Sequence, residues 1–216
     1  MSPARATATI VAGLTGGVGS GKSSAERLLR LWRIPTADAD RWAHEVLARS
    51  AAMRSRIAAF CRKRWGVSVL DSTGALDRAA LAARVFADAG ALSFLERLIH
   101  PAVKQKAAAW IAARRRARVP LAVLVVPLLF ESGMDRQLDC VIALKAPMSV
   151  RCQRLRTSRG WTSAQARARM HHQLDDAARA RRADYVVDNA GSPRQLAAAL
   201  RTVVDDLRLR ARHEGG

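Results

Sequence analysis

Eight consecutive residues, Gly16-Gly17-Val18-Gly19-Ser20-Gly21-Lys22-Ser23, constrain this chain more than any other feature. They fit the pattern G-x-x-x-x-G-K-[S/T], and the flanks are those the pattern requires. Ile10 to Leu14 (IVAGL) reads as a short buried strand, and from Ser23 the positions Ala25, Leu28, Leu29 and Trp32 fall on one helical face. Successive glycines let backbone N–H groups converge on a phosphate with no side chain in the way. The helix that follows adds its own N-terminal N–H groups and positive dipole end. Lys22 then reaches β- and γ-phosphates, and the Ser23 hydroxyl offers an oxygen to Mg²⁺. A chance glycine-rich turn is the alternative, and it explains neither Lys-Ser at the exit nor the flanks. The motif predicts a mononucleotide site without saying what is phosphorylated, or whether anything is.

The rest of the chain alternates strands with helices. Ile34 to Ala37 predicts a second short extended piece ending at Asp38-Ala39-Asp40, with a helix through Ala43, Val46 and Leu47 after it. Residues from about 51 to 118 read as a helical insertion. Asp77 caps a helix carrying Leu81 and Val85, Leu92, Leu95 and Ile99 form another stripe, and Pro101 predicts a turn or kink at His100. Leu121 to Val126 is continuously apolar, as a strand covered on both faces should be. Val141 to Leu144 and Tyr185 to Val187 are further strands. Ser192-Pro193 opens a last helix with apolar face Leu196, Leu200, Val203 and Leu207, and the tail after Arg208 is expected to fray. Strand–helix alternation predicts an α/β fold, a parallel sheet with helices on both faces.

Composition narrows the class. With 216 residues, 50% apolar and 25% charged, the chain builds an ordinary core rather than a disordered ensemble. The longest apolar run, Val119 to Phe130, has two prolines and is too short to span a bilayer, and the first nine residues carry no secretion-type hydrophobic stretch. Cys61, Cys140 and Cys152 are odd in number and widely spaced, which argues against a disulfide scaffold or a cysteine zinc site and for a reducing cytoplasm. The net charge of +19 raises nucleic-acid binding as a question. Its arginines are scattered among alanines on almost every expected helix, without interleaved aromatics, so a solvated surface is the preferred reading over a nucleic-acid platform.

Several classes share such a loop. No N-K-x-D sequence is present to read guanine, and the strand ending at Val126 runs into Pro127-Leu128-Leu129-Phe130-Glu131, not into an immediate Asp as in a motor ATPase. The carboxylates expected to face the phosphates are Asp38 and Asp40, in a loop at the carboxyl end of a strand, where such sheets bind ligands. A kinase needs a carboxylate to orient an acceptor hydroxyl and take its proton. The alternative is that one of the pair only caps the next helix, and Asp40 is the preferred functional residue.

Taken together, these residues resemble the dephospho-CoA kinase family across most of the chain, from about Val11 to Asp206. The likeness rests on Leu14-Thr15 before the doubled glycine, Asp38-Ala39-Asp40, Leu76-Asp77-Arg78 with Leu81 and Val85-Phe86, and Leu98-Ile99-His100-Pro101. Val126 to Glu131 (VPLLFE), Gln173 and Ala183 to Asn189 (ADYVVDN) with Gly191 complete it in order.

The resemblance implies an ATP- and Mg²⁺-dependent kinase that phosphorylates the ribose 3′-hydroxyl of dephospho-CoA. It implies a P-loop three-layer core (8–40, 119–150, 183–208), a helical acceptor region (41–118), a lid (151–182) and a tail (209–216). ATP would lie on Gly17, Val18, Gly19, Ser20, Gly21, Lys22, Ser23 and Ser24, with Asn189. Catalysis would fall to Asp40, Lys22 and Arg154, and Mg²⁺ to Ser23 with Asp38 or Asp40 through water. Asp38, Asp40, Arg78, His100, Leu128 and Glu131 look like acceptor-side positions. Each has a plainer reading: His100 packs a kinked helix, Leu128 lines a wall, Glu131 forms an ion pair, and Arg78 is surface charge. The lid departs from the family pattern, its second arginine displaced by one. Of Arg151, Arg154, Arg156 and Arg159, the phosphate-facing choice is Arg154, then Arg159. His171-His172 face different sides of a helix and are read as non-metal. Expected partners are ATP and dephospho-CoA, with no membrane and no nucleic acid, in a monomer or weak homo-oligomer.

Overall fold

The structure, a computed structural model, describes residues 8–85, 87–171 and 173–214. Phe86 and His172 lie outside them, so the expectations resting on those side chains, and on the side chain of His171, are not addressed. The described chain forms two compact units. One takes its residues from the chain up to Ala39 and from Ala107 onward, the other is Asp40–Lys106.

In the first unit the described residues build a five-stranded parallel sheet in the order β2-β3-β1-β4-β5. The strands are β1 (Ile10–Gly16), β2 (Thr36–Asp38), β3 (Leu121–Val125), β4 (Cys140–Lys145) and β5 (Tyr185–Asp188). β1 and β3 are buried at every residue, as their largely apolar sequences require, and the one polar side chain, Thr15, donates its hydroxyl to the Pro127 carbonyl at 3.2 Å. One face of the sheet packs against α1 (Lys22–Leu31) and α9 (Pro193–His213). There Ala12, Leu14, Val123 and Ile142 meet Ala25 and Leu29 of α1 and Leu196, Leu200, Val204 and Leu207 of α9. On the opposite face Leu129 and Leu138 close over Gly13 so tightly that a Cβ there would meet Leu138 at 2.6 Å.

Helix starts follow their side-chain chemistry. Ser192 and Gln195 make a reciprocal capping box with Pro193 in the first turn of α9. The tail expectation is corrected here: α9 continues to His213, because Ala211 is fully buried and its carbonyl accepts the Ala8 N–H at 2.9 Å. α6 (Met148–Arg159), α7 (Ser163–His171) and α8 (Asp176–Arg182) follow β4, and Asp175 caps α8 through the Ala178 N–H at 2.7 Å.

The second unit is helical: α2 (Ala39–Arg49) enters it, followed by α3 (Ala51–Trp65), α4 (Arg78–Val85) and the first part of α5 (Ala89–Arg116). Its core joins Ile57 and Cys61 to Val69, Leu81, Val85, Ala91 and Leu98, with Phe60 stacked on Phe94 at 4.1 Å between centroids. Asp77 caps α4, its carboxylate accepting the Ala79 and Ala80 N–H groups, each at 3.0 Å. Of the turn or kink expected at His100, no turn interrupts the helix. α5 runs 28 residues with Pro101 inside it, since proline forfeits one helical hydrogen bond and the apolar stripe on either side, Leu98 and Val103, stays buried.

Candidate active site

The loop from Gly16 to Gly21 leaves the carboxyl end of the central strand β1 and delivers the chain into α1. Gly19 and Gly21 hold φ of +78° and +102°, a left-handed backbone that side chains resist. Gly21 is the N-cap of α1 and supplies no side-chain cap, so no cap side chain competes for the positive dipole end of the helix. Lys22 folds back over the loop, its Nζ donating to the carbonyls of Gly16 at 2.6 Å and Gly17 at 3.1 Å. Ser23 is exposed on the first turn, with Ser24 behind it. The buried Ser20 Oγ has no hydrogen-bond partner.

Two remote segments hold this loop. From β5, Asn189 donates its amide to the Ser20 carbonyl at 2.8 Å, and it is 4% exposed. From the α6–α8 segment, the buried Arg151 donates Nε to the Val18 carbonyl at 2.7 Å, while Gln173 Oε1 accepts the Val18 N–H at 2.9 Å. Arg151 is paired with Asp176 at 2.9 Å, and Asp176 with the fully buried Arg179 at 2.7 Å. Burial pushes the Arg179 pKa down, opposed by Asp176 and Glu131. Arg154 lies against Gly21 and reaches Asn189 Oδ1 at 3.5 Å; its other terminal nitrogen is buried without a partner. Arg159 instead stacks over Trp161 at 5.0 Å, at the far end of α6.

The remaining candidates are distributed as follows. Asp38 ends β2 in register with Val125, itself in register with Leu14, so it stands at the sheet edge from which the loop departs. Asp40 sits in the first turn of α2, exposed, as the first residue of the helical unit. Leu128 is half-buried in the turn after β3, beside the buried Leu129 and Phe130. Glu131, in the same turn, accepts the Leu174 N–H at 2.9 Å and lies 3.9 Å from Arg179. Within the helical unit, exposed Arg78 opens α4 at the rim of a cavity of about 230 Å³ that Leu47, Arg54 and Leu76 also line. His100 is half-buried in α5, and burial lowers its pKa. Sequence reasoning did not single out Asp176 or Arg179. Their signal is their pairing with Arg151 and Glu131, which spacing along the chain does not show.

Among the described residues no group of His, Cys, Asp and Glu forms a metal site by itself. The hard oxygens at hand, the Ser23 hydroxyl and the Asp38 carboxylate, suit a cation that keeps most of its ligands from phosphate and water.

A parallel sheet with flanking helices and a glycine loop between its central strand and a helix defines a P-loop nucleotide-binding fold. A shikimate kinase from Acinetobacter baumannii shares it at 17% identity with a TM-score of 0.52. A structure from Thermus thermophilus, TT1252, superposes with a TM-score of 0.73 at 32% identity, covering 93% of this chain and 98% of that one. The chain belongs to the dephospho-CoA kinase family: the model of that family matches residues 10–195. Relatives named dephospho-CoA kinase are 42% identical in Anaeromyxobacter dehalogenans, over 92% of each chain, and 39% identical in Syntrophotalea carbinolica, over 86% of each.

Proposed function

We propose that this enzyme transfers the γ-phosphoryl group of ATP to the ribose 3′-hydroxyl of dephospho-CoA, giving coenzyme A and ADP. The observation that carries the reading is the loop itself. Left-handed glycines, an uncapped helix terminus and Lys22 form a cradle for a polyphosphate, and Asp38 ends a strand at the same edge of the sheet. The buried, unpartnered nitrogen of Arg154 beside Gly21 is a donor that a phosphate oxygen would satisfy.

In this reading the backbone amides of Gly17 to Ser24 hold the β- and γ-phosphates. Lys22 swings from its loop carbonyls to the transferring group, and Arg154 neutralises charge that develops there. Asp40 orients the acceptor hydroxyl and takes its proton as the new P–O bond forms and the bond to the ADP oxygen breaks. Mg²⁺, when bound at Ser23 and, through water, Asp38 or Asp40, supplies electrostatic neutralisation of the phosphates. Residues 41–118, with Arg78 and His100, bind the acceptor together with Leu128 and Glu131 from the turn after β3. Residues 151–182 form a lid whose closure excludes water. Among the described residues no helix is long and apolar enough to cross a membrane. We place the enzyme in the cytoplasm as a monomer or weak homo-oligomer, where Cys61, Cys140 and Cys152 stay unpaired.

The test is ADP release with a panel of acceptors in ATP and Mg²⁺. Turnover with dephospho-CoA well above that with adenosine, AMP and other nucleosides is expected. Preference for another nucleoside would reassign the acceptor, and ATP hydrolysis stimulated by DNA or RNA would make the enzyme a nucleic-acid-dependent ATPase.

A further inference from the structure

Every polar and apolar handle of Val18 is held by the segment that follows β4. Its N–H is accepted by Gln173 at 2.9 Å, its carbonyl accepts Arg151 Nε at 2.7 Å, and its side chain packs against Leu155, Ala166 and Met170. Val18 stands between Gly17 and Gly19, residues whose backbones turn at little cost. The peptide planes on either side of Val18 therefore each border a glycine, and a contact to Val18 restrains both. Their orientation decides where the neighbouring N–H groups point.

Arg151 does not hold its carbonyl alone. Its guanidinium is fixed by Asp176 at 2.9 Å, and Asp176 is fixed by Arg179 at 2.7 Å. The same Arg179 is fully buried and donates to the Leu174 carbonyl at 2.7 Å. The α6 backbone also leans on the loop, the Arg151 carbonyl lying 3.0 Å from where a Cβ on Gly19 would stand.

We infer that Arg151, braced by Asp176, is a positioning residue that fixes the Val18 peptide planes and so pre-shapes the phosphate loop for ATP. Its Nε goes to a carbonyl and its Nη1 to a carboxylate, while Arg154 keeps a buried nitrogen without a partner beside Gly21. Fixing the loop before ATP arrives lowers the ordering cost of binding, so the device acts on ATP affinity and leaves the acceptor untouched. The inference rests on the reading that this loop holds ATP.

The test is titration of the intact enzyme with a non-hydrolysable ATP analogue, alongside the KM of dephospho-CoA and the melting temperature. Asp176→Asn and Arg151→Lys are expected to weaken the analogue about tenfold, one hydrogen bond's worth, with the acceptor KM within about twofold. Asp176→Glu is expected to restore most of the affinity. The double variant Arg151→Ala/Asp176→Asn should bind no more weakly than Arg151→Ala, because Asp176 acts through Arg151. Should Arg151→Ala fail to fold, Arg151→Lys with and without Asp176→Asn supplies the same cycle. Unchanged analogue affinity with only a lower melting temperature overturns the inference, as do additive losses in the cycle. Failure of the wild-type enzyme to bind the analogue overturns the loop assignment itself, a result distinct from either.

Discussion

Asn189 donates its side-chain amide to the carbonyl of Ser20, 169 residues earlier, at 2.8 Å in a fully enclosed setting. This bond ties the end of the last strand to the exit of the phosphate loop and explains why Gly21 must be glycine. A Cβ at Gly21 would collide with that amide, in a backbone of φ +102°. Gly66, at the end of α3, has a φ of +69° with nothing within 4 Å of its would-be Cβ. Gly66→Ala should therefore cost about 1–2 kcal/mol of stability and leave turnover intact. Gly21→Ala should in addition lower kcat/KM by about a hundredfold, through displacement of the loop. Thermal melts and steady-state kinetics on both variants check the contrast.

Lys22→Ala and Asp40→Asn should each give a folded enzyme with crippled turnover. The lysine supplies charge where the phosphoryl group transfers, worth on the order of a hundred- to a thousandfold. Loss of a general base costs roughly 10²–10⁴-fold. Circular dichroism and single-turnover rates separate folding from chemistry. Near-normal rates in Asp40→Asn would remove that residue as the base.

His100 makes stability fall with acid. Burial, aided by Lys104 and opposed by Glu96, holds its pKa below the ordinary value of about 6.5. Between the two values the unfolded chain binds the proton that the folded one refuses, so stability rises with pH through that window. It is fully present above about pH 6.5 and lost as the pH drops toward the folded value. Melts at pH 7.5 and 5.5 should show a smaller pH-dependent drop in His100→Gln than in the wild type; equal drops would contradict the assignment.

The three thiols should divide by burial. Cys61 is 1% exposed and Cys140 3%, and burial pushes the Cys140 thiol up to about 12. Cys152 is half-buried in α6 at the rim of a groove lined by Arg156 and Arg167. Titration with an aromatic disulfide reagent at pH 8 should modify Cys152 alone in the native enzyme and all three in denaturant. Rapid native reaction of Cys140 would contradict the packing of β4.

What could be read from the chain was what is local. The loop motif, the apolar strands, and the caps at Asp77 and Ser192 depend on residues a few positions apart and form close to where the spacing places them, the second strand shifted from 34–37 to Thr36–Asp38. The failures come from tertiary context. At His100, where a turn or kink is expected, no turn ends the helix, which continues through Pro101 with Leu98 and Val103 buried on either side. The helix expected to fray after Arg208 is held by Ala211, and Arg210 donates to Tyr185 Oη at 3.1 Å. The arginines of the lid segment are alike in sequence and unlike in place. Arg151 grips Val18 and is held by Asp176, Arg154 lies by Gly21 and Asn189, and Arg159 covers Trp161, a division made by partners distant in the chain that no spacing along α6 reveals.

The most direct test of the central claim is the identity of the product formed from ATP, Mg²⁺ and dephospho-CoA, by mass and by the phosphorus–proton coupling that locates the new phosphate. The expected product gains one phosphoryl group on the ribose 3′-oxygen, matched by one ADP. A phosphate at any other position, or ADP and inorganic phosphate with the acceptor unchanged, would contradict it.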